Sequence, residues 1–391
     1  MFDQELLTNR ALTEQGSAFH PPYMERIGDF WNGTQVQTGV IVQEDGSVLF
    51  RLYAPKMDKV RVVLTAFKDL TIPMVKDEEG FFTGLLPYDE KYRGPQDVQF
   101  YVNDMYYVHP QMPAHFRSFR QVNFVEIPDP ESEMILIRDV PHGQVVRETY
   151  FSRVKNSWQR CNVYLPPQYR EGGEYPVLYL QHGLTENENE WVNMGKVNYL
   201  LDNLIAAGEC APFIVVMSDG MERIPGETNW DFGSTKQMLL TETIPFIDSR
   251  YRVKPGRAHR AMAGLSMGSS QTSVFGLPHP EVFSCLGLFS GFMRSNAAIP
   301  FEQQEHLAPI TRDPAYISRN FTVFFRSMGS RDVHFPRFEK DTEELDALGC
   351  RAMPGFYEQV YDGLTHDWGA FRRAFRDFAK LIFRDEHKQE E

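Results

Sequence analysis

The sequence predicts an α/β protein, with a mostly parallel central sheet covered by helices and a small β-sandwich before it. Three observations predict this. From Val40 to Val125, short runs of β-branched and apolar residues alternate with turn signals. From Val140 onward, strand-like runs alternate with amphipathic helical patterns, which gives a parallel sheet buried on both faces. Within that second region lies Gly264-Leu265-Ser266-Met267-Gly268, a G-x-S-x-G pentapeptide with a short apolar run before it and helix formers after it.

In chain order, residues 1–39 read as a polar N-terminal extension with a helical start. In residues 40–125, Ser47–Leu52 (S-V-L-F-R-L) and Val60–Leu64 (V-R-V-V-L) are strand candidates. Glu44-Asp45-Gly46, Glu78-Glu79-Gly80 and Arg93-Gly94-Pro95 supply the turns, and this spacing fits a sandwich. Residues 126–139 carry two prolines in an acidic run and read as a linker. In residues 140–391, strands are expected at Cys161–Leu165, Pro176–Gln181, Pro212–Met217, Arg260–Gly264, Cys285–Phe289, Phe321–Arg326 and Gly355–Tyr361. Val197–Ala207 puts Leu200, Leu201, Leu204 and Ile205 on one helical face, and Phe371, Phe375, Phe378 and Ile382 repeat the pattern near the C-terminus.

A length of 391 residues exceeds one typical core, consistent with two domains. The net charge of −13 is spread along the chain, which argues against nucleic acid as a partner because phosphate binding needs a basic face. The four cysteines form no C-x-x-C pair and no Cys/His cluster has metal-ligand spacing, so buried free thiols, no metal and no cofactor are expected. The N-terminus lacks a signal-peptide pattern and no apolar run approaches the ~20 residues needed to span a bilayer. A cytoplasmic protein with no membrane partner is therefore expected, although a chain whose leader had been removed would read the same.

The pentapeptide carries the chemistry. A strand, a sharp turn and a helix in succession make a nucleophile elbow, in which Ser266 projects from a strained turn and the flanking glycines let backbones approach. In the α/β-hydrolase order the acid and then the histidine follow the serine. Asp332, in the glycine-containing loop after Phe321–Arg326, is the acid expected; Asp313 precedes the strand and Asp362 follows the next one. His366 lies on the loop after Gly355–Tyr361, just before the last helix, whereas His334 is too near Asp332 in sequence to pair well with it. Ser266 would attack, His366 take its proton and Asp332 fix the imidazole tautomer. The oxyanion donors expected are the backbone N–H groups of Met267 and Leu184, with His182 as a structural brace. The loop Asp219–Ser234 carries Met221, Trp230 and Phe232, and Met293 follows another strand end. Either these residues form an apolar wall suited to a phenolic acyl group, or the aromatics anchor their loop.

Two resemblances follow from these motifs. D-G-S-V-L-F-R-L-Y-A-P, K-V-R-V-V-L and K-D-E-E-G-F-F resemble the early-set sandwich of the family 48 carbohydrate-binding modules. Starch-binding members use exposed tryptophans, and residues 40–125 contain none. The resemblance thus implies a domain that packs on an enzyme and shapes its site rather than one that grips polysaccharide. Y-L-Q-H-G-L-T-E-N-E-N-E-W, G-L-S-M-G-S-S-Q, F-S-G, G-S-R-D and G-L-T-H-D-W together resemble family 1 of the carbohydrate esterases, which holds feruloyl and acetyl-xylan esterases. This implies a serine esterase, in the first place a feruloyl esterase acting on feruloylated cell-wall oligosaccharides or related small hydroxycinnamate esters and in the second an acetyl-xylan esterase, with Ser266, Asp332 and His366 as triad and Glu188 and Trp191 as scaffold. A homodimer stays open as its assembly. Ser269 departs from the family's second glycine. S-formylglutathione hydrolases, enterochelin esterases and mycolyltransferases share parts of the pattern, and a non-catalytic carbohydrate-binding protein is the alternative from another class.

Overall fold

A computed structural model of the chain describes residues 39–384, apart from 68–69, 111 and 229–231. The extension expected over residues 1–39 therefore lies, but for Gly39, outside the described residues. The chain divides into two compact units: the first runs to Asp139 and includes Asp367–Gly369, and the second takes Val140–His366 and the residues from Ala370 onward.

The N-terminal unit is antiparallel. One sheet has the order β1-β2-β6-β5, from Gly39–Val42, Val48–Tyr53, Phe81–Leu86 and Val75–Lys76. The other has the order β4-β3-β7-β10-β9, from Leu70–Pro73, Val60–Leu64, Gly94–Val102, Arg120–Ile127 and Ala114–Arg117, with β8 (Met105–Tyr107) also paired to β7. Strand side chains alternate faces, so Val48, Phe50 and Leu52 of β2 all turn inward. They share one hydrophobic core with Val60, Val62 and Leu64 of β3 and with Val98 and Phe100 of β7. Phe50 meets Phe100 edge-on at 6.2 Å, which joins the two sheets through that core.

The expected linker is corrected. Glu126 and Ile127 close β10, paired with Pro95 and Gly94 of β7. Pro130–Ile135 is a short 3₁₀ helix whose Asp129 cap accepts the Glu131 N–H, and Ile135 and Leu136 are buried. Pro130 here opens a helical turn, the position where its missing N–H and fixed φ cost nothing.

One buried charge cluster in this unit yields a test. The Asp97 carboxylate on β7 meets His115 Nε2 at 2.8 Å and Arg117 Nη1 at 2.9 Å, both from β9. Burial pushes the carboxyl up, but Arg117 and then His115 outweigh it and hold Asp97 at about 2. A folded value below the unfolded one gives stability that is full above the unfolded value, ~4, and is lost as pH falls toward 2. Asp97→Asn should therefore destabilise the N-terminal unit by about 2 kcal/mol at pH 7 and by much less near pH 2. Hydrogen exchange of that unit's amides at both pH values checks this; an equal loss at both would assign the effect to packing and not to charge.

The second unit is built on an eight-stranded sheet of order β11-β12-β14-β13-β15-β16-β17-β18. The strands are Gln144–Ser152, Ser157–Leu165, Val177–Gln181, Ile214–Ser218, Arg260–Leu265, Cys285–Phe289, Val323–Gly329 and Phe356–Tyr361, numbered β11 to β18 in chain order. β11 and β12 pair antiparallel, as do β12 and β14, and the remaining pairs are parallel. β13, β14, β15 and β16 are apolar apart from Gln181, Ser218 and Arg260 at their ends, as strands covered on both faces should be. The helices used below are α1 (Val197–Ala206), α2 (Met267–Gly276), α3 (Phe335–Ala347) and α4 (Trp368–Ala379). Leu200, Leu201 and Leu204 of α1 are buried. Phe375 of α4 meets Trp191 at 5.6 Å and Phe378 meets Phe289 at 5.6 Å, so the phenylalanine stripe seats α4 on this unit's core. Among the described residues, no helix is long and apolar enough to cross a membrane. β13 lies between β14 and β15, so chain order reverses there, and the C-terminal ends beside such a switch point form a natural crevice.

Candidate active site

The elbow forms at that crevice. β15 ends at Leu265 and α2 starts at Met267, leaving Ser266 alone in the turn at φ 51° and ψ −112°. A non-glycine residue held there is strained, and the surroundings must enforce it. They do so through close backbone contact. A Cβ added at Gly264 would sit 2.5 Å from the Gly268 carbonyl carbon, and one at Gly268 would sit 2.6 Å from the Gln181 oxygen. The Ser266 N–H donates to the Phe289 carbonyl at 3.0 Å. Gly264→Ala should therefore destabilise the fold by roughly 1–3 kcal/mol and abolish most activity, because the obstacle is backbone that cannot step aside. Thermal unfolding together with an ester assay checks this, and a variant as stable and active as the parent would refute it.

Three side chains from separate loops converge on the turn. His366 Nε2 lies 2.9 Å from Ser266 Oγ, and His366 Nδ1 lies 2.7 Å from Asp332 Oδ2. Asp332 is buried, and its second oxygen accepts the His334 N–H at 2.8 Å. Asp332 follows β17, which runs on to Gly329, three residues beyond the strand end expected at Arg326. Small residues, Ser327 and Gly329, made that segment read as loop. Asp362 is placed differently: it accepts from the Ser330 hydroxyl at 3.0 Å and is exposed.

His334 adds a neighbour that sequence reasoning set aside. Its ring stands edge-on to His366 at 5.0 Å and to Phe292 at 5.0 Å. Burial and then the nearby His366 hold it below the usual histidine range. Asp332, His334 and His366 each offer a ligand atom within 4.8 Å of the others. Of the three, Asp332 and His366 are joined side chain to side chain behind Ser266, whereas His334 reaches Asp332 through its backbone N–H.

The backbone donors lie where α2 and the loop after β13 begin. Met267 opens α2, so its N–H has no partner inside the helix and the positive end of the helix dipole adds to it. In the other loop, Glu186 accepts the Gly183 N–H at 2.9 Å, which uses that donor, whereas among the described residues none accepts the Leu184 N–H. His182 is buried: Nδ1 lies 2.8 Å from the Gly183 carbonyl and Nε2 2.9 Å from the Gly220 nitrogen, and although burial pulls it down, Asp219 at 3.5 Å outweighs this and holds it above the usual histidine range. It braces the loop and cannot serve as a base. Trp191 is buried and donates to the Gln181 carbonyl at 2.9 Å; Glu188 is also buried, 3.3 Å from Arg160. Ser269 donates to the Ser266 carbonyl at 2.6 Å and accepts the Phe292 N–H at 3.0 Å, so it ties the elbow to the loop after β16.

The expected substrate wall is corrected at Met293 and Phe232. Met293 is fully buried in the unit's core, with its carbonyl accepting from Ser273 Oγ and His306 Nε2. Phe232 is in the same core, edge-on to Phe275 at 6.2 Å. Met221 is half-buried against that core, and Trp230 lies outside the described residues. Of the two readings, loop anchoring holds for Phe232. A loop has no periodicity that would tell a core-facing ring from a pocket-facing one, so the sequence held no signal to separate them.

Both ends of the Asp219–Ser234 loop are tied down. The Gly220 carbonyl accepts from Gln271 Nε2 of α2 at 2.9 Å, opposite the bond from its N–H to His182. At the far end, buried Lys155 donates to Ser234 Oγ at 2.6 Å and Thr235 Oγ1 at 3.1 Å, and it also donates to the Glu222 carbonyl near the loop's start at 2.7 Å. Burial holds this lysine below its usual range. Its position in the β11–β12 turn gave no sequence hint of the role.

Residues 152–381 match the family model named Esterase. The chain is 32% identical over 364 residues to an endo-1,4-β-xylanase/feruloyl esterase of Xylanibacter ruminicola, a match covering 88% of this chain and 46% of that protein. It is 27% identical over 265 residues to endo-1,4-β-xylanase Y of Acetivibrio thermocellus, covering 62% of this chain and 23% of that protein. The chain thus spans less than half the length of either relative. Among solved structures, a mutant of the feruloyl esterase module of Clostridium thermocellum complexed with sinapinate superposes with a TM-score of 0.57 at 27% identity, covering 68% of this chain and 94% of that one. The enterobactin esterase of Shigella flexneri gives a TM-score of 0.61 at 14% identity over 85% of this chain and 92% of that one, a likeness of fold alone.

Proposed function

Because the chain belongs to the Esterase family, whose model matches more than half of it, we propose that it is a serine carboxylester hydrolase acting on feruloyl esters of plant cell-wall oligosaccharides. The observation that carries this reading is the unbroken hydrogen-bonded chain from Ser266 through His366 to Asp332, set on a strained elbow.

In this reading His366 Nε2 takes the Ser266 proton as Oγ attacks the ester carbonyl carbon. Asp332 keeps the imidazole proton on Nδ1, which leaves Nε2 free to act as base. The negative charge forming on the carbonyl oxygen is met by the Met267 and Leu184 N–H groups. Collapse of the intermediate expels the alcohol, protonated by His366, and leaves an acyl-Ser266. Water activated by the same histidine then releases the acid. No step needs a metal, and EDTA should leave the rate unchanged.

The feruloyl preference is supported by the Xylanibacter relative, whose name includes that activity, and by the Clostridium module, whose structure carries sinapinate, a hydroxycinnamate. We also read the N-terminal unit as an early-set β-sandwich, which its two antiparallel sheets around one core support.

The test is turnover of methyl ferulate, p-nitrophenyl acetate and acetylated xylan by the full chain. A feruloyl esterase should show its highest kcat/KM on methyl ferulate. Preference for acetylated xylan would replace the feruloyl reading with an acetyl one, and no turnover of any ester would overturn the reading altogether.

A further inference from the structure

We propose that Trp158 and Phe151 form a stacking platform for neutral sugar rings in the alcohol part of the ester; the proposal rests on the esterase reading above. The two residues sit directly opposite each other in the β11–β12 register, with ring centroids 5.6 Å apart and planes at 80°. Trp158 is 69% exposed and Phe151 46%, an uncommon state for an aromatic pair next to a site.

Register places the pair at the catalytic edge. Cys161 of β12 lies opposite Ser218, the last residue of β14, and Trp158 is three residues further toward the edge where β15 delivers Ser266. β12 is separated from β15 by β14 and β13, which at ~4.8 Å per strand puts the platform roughly 15 Å from the nucleophile. An ester hydrolysed at Ser266 would reach that far only with an oligosaccharide as its alcohol.

Polar groups frame the rings on both sides. Arg160, on the same strand face as Trp158, reaches Glu188 of the loop after β13 at 3.3 Å, and Arg147 donates to Asn189 at 3.0 Å. On the other flank, Ser157 Oγ donates to Glu222 of the Asp219–Ser234 loop at 2.7 Å. The face of β12 that carries Trp158 and Arg160 thus meets the loop after β13, and its opposite face, through Ser157, meets the Asp219–Ser234 loop. A sugar ring offers an apolar C–H face to an aromatic and hydroxyls to neighbouring guanidinium groups, and this surface carries both. Two rings among charged side chains are far too small an area for a stable protein partner, which needs about 1,200 Å² or more.

The experiment uses Trp158→Ala, Phe151→Ala and the conservative Trp158→Phe in the full chain. On a feruloylated xylo-oligosaccharide, Trp158→Ala should raise KM about tenfold with kcat unchanged, and Trp158→Phe should restore part of the loss. On methyl ferulate both constants should stay at parental values. An equal loss on both substrates would mean that the pair only supports the loops, and no loss on either would mean that it touches no sugar; both overturn the proposal. A separate measurement keeps it distinct from the esterase reading. Calorimetric titration of unsubstituted xylotetraose into the parent should give binding that Trp158→Ala abolishes, whether or not any ester is turned over. Binding that survives the substitution, or no binding to the parent, also overturns it.

Discussion

Ser266→Ala should lower kcat by about 10⁶ and leave the fold intact. The hydroxyl is the group that bonds to the acyl carbon, and its neighbours have no substitute: the next side chain in the chain of bonds, His366, lies 2.9 Å behind it. Alanine keeps the Cβ, so the turn at φ 51° is no more strained than before, and the backbone bond to Phe289 is retained. Residual turnover would come from the backbone donors and from substrate positioning. Burst-phase kinetics with p-nitrophenyl acetate, alongside the thermal midpoint, provide the measurement. A variant that still accumulates an acyl-enzyme would remove Ser266 from the mechanism.

Asp332→Asn should cost about 10⁴ in kcat, for a reason that the local hydrogen bonds make specific. Asp332 accepts at both oxygens, from the His334 N–H at one and from His366 Nδ1 at the other. An asparagine has one oxygen. If that oxygen stays on the His334 N–H, its amide group points at His366 Nδ1 and forces the imidazole proton onto Nε2, where it blocks the base. The opposite orientation sets two N–H groups against each other in a buried site. Asp362→Asn, by contrast, loses only an exposed bond with Ser330 and should change kcat little. If Asp362→Asn is inactive and Asp332→Asn is not, the acid has been misassigned.

The parts legible in the sequence were those with strong local signatures. Seven strands of the second unit fall where strand-like runs predicted them; for β13 to β17 the reason is burial on both faces, which makes the run apolar, whereas β18 at the edge was legible by its place after Gly355. The elbow was legible because its glycines are dictated by backbone contacts, 2.5 and 2.6 Å for added Cβ atoms, that no other residue satisfies. β11 was missed because it is an edge strand with Arg147 and Thr149 facing out, so its pattern is mostly polar. Residues 126–139 misled for a related reason: prolines and acids mark chain ends and helix starts as often as linkers. Met293 and Phe232 show the remaining limit. Their apolar character was plain, but the choice between core and pocket is made by tertiary packing with Ser273, His306 and Phe275.

The anchoring of the Asp219–Ser234 loop makes it a replaceable cassette. Gly220 is held by His182 and Gln271, and Ser234 by Lys155 and by Glu227, whose carboxylate accepts both the Ser234 N–H and hydroxyl. Between these posts, the residues other than Glu222 and Glu227 can change while the posts keep their positions, because those two carry the remaining bonds to Lys155, Ser157 and Ser234. Substitutions in this span can therefore accumulate, or be engineered, without disturbing the elbow. Libraries built at Arg223–Gly226, which leave Glu222 and Glu227 in place, should retain stability at a much higher frequency than libraries of similar size placed in Gly264–Gly268.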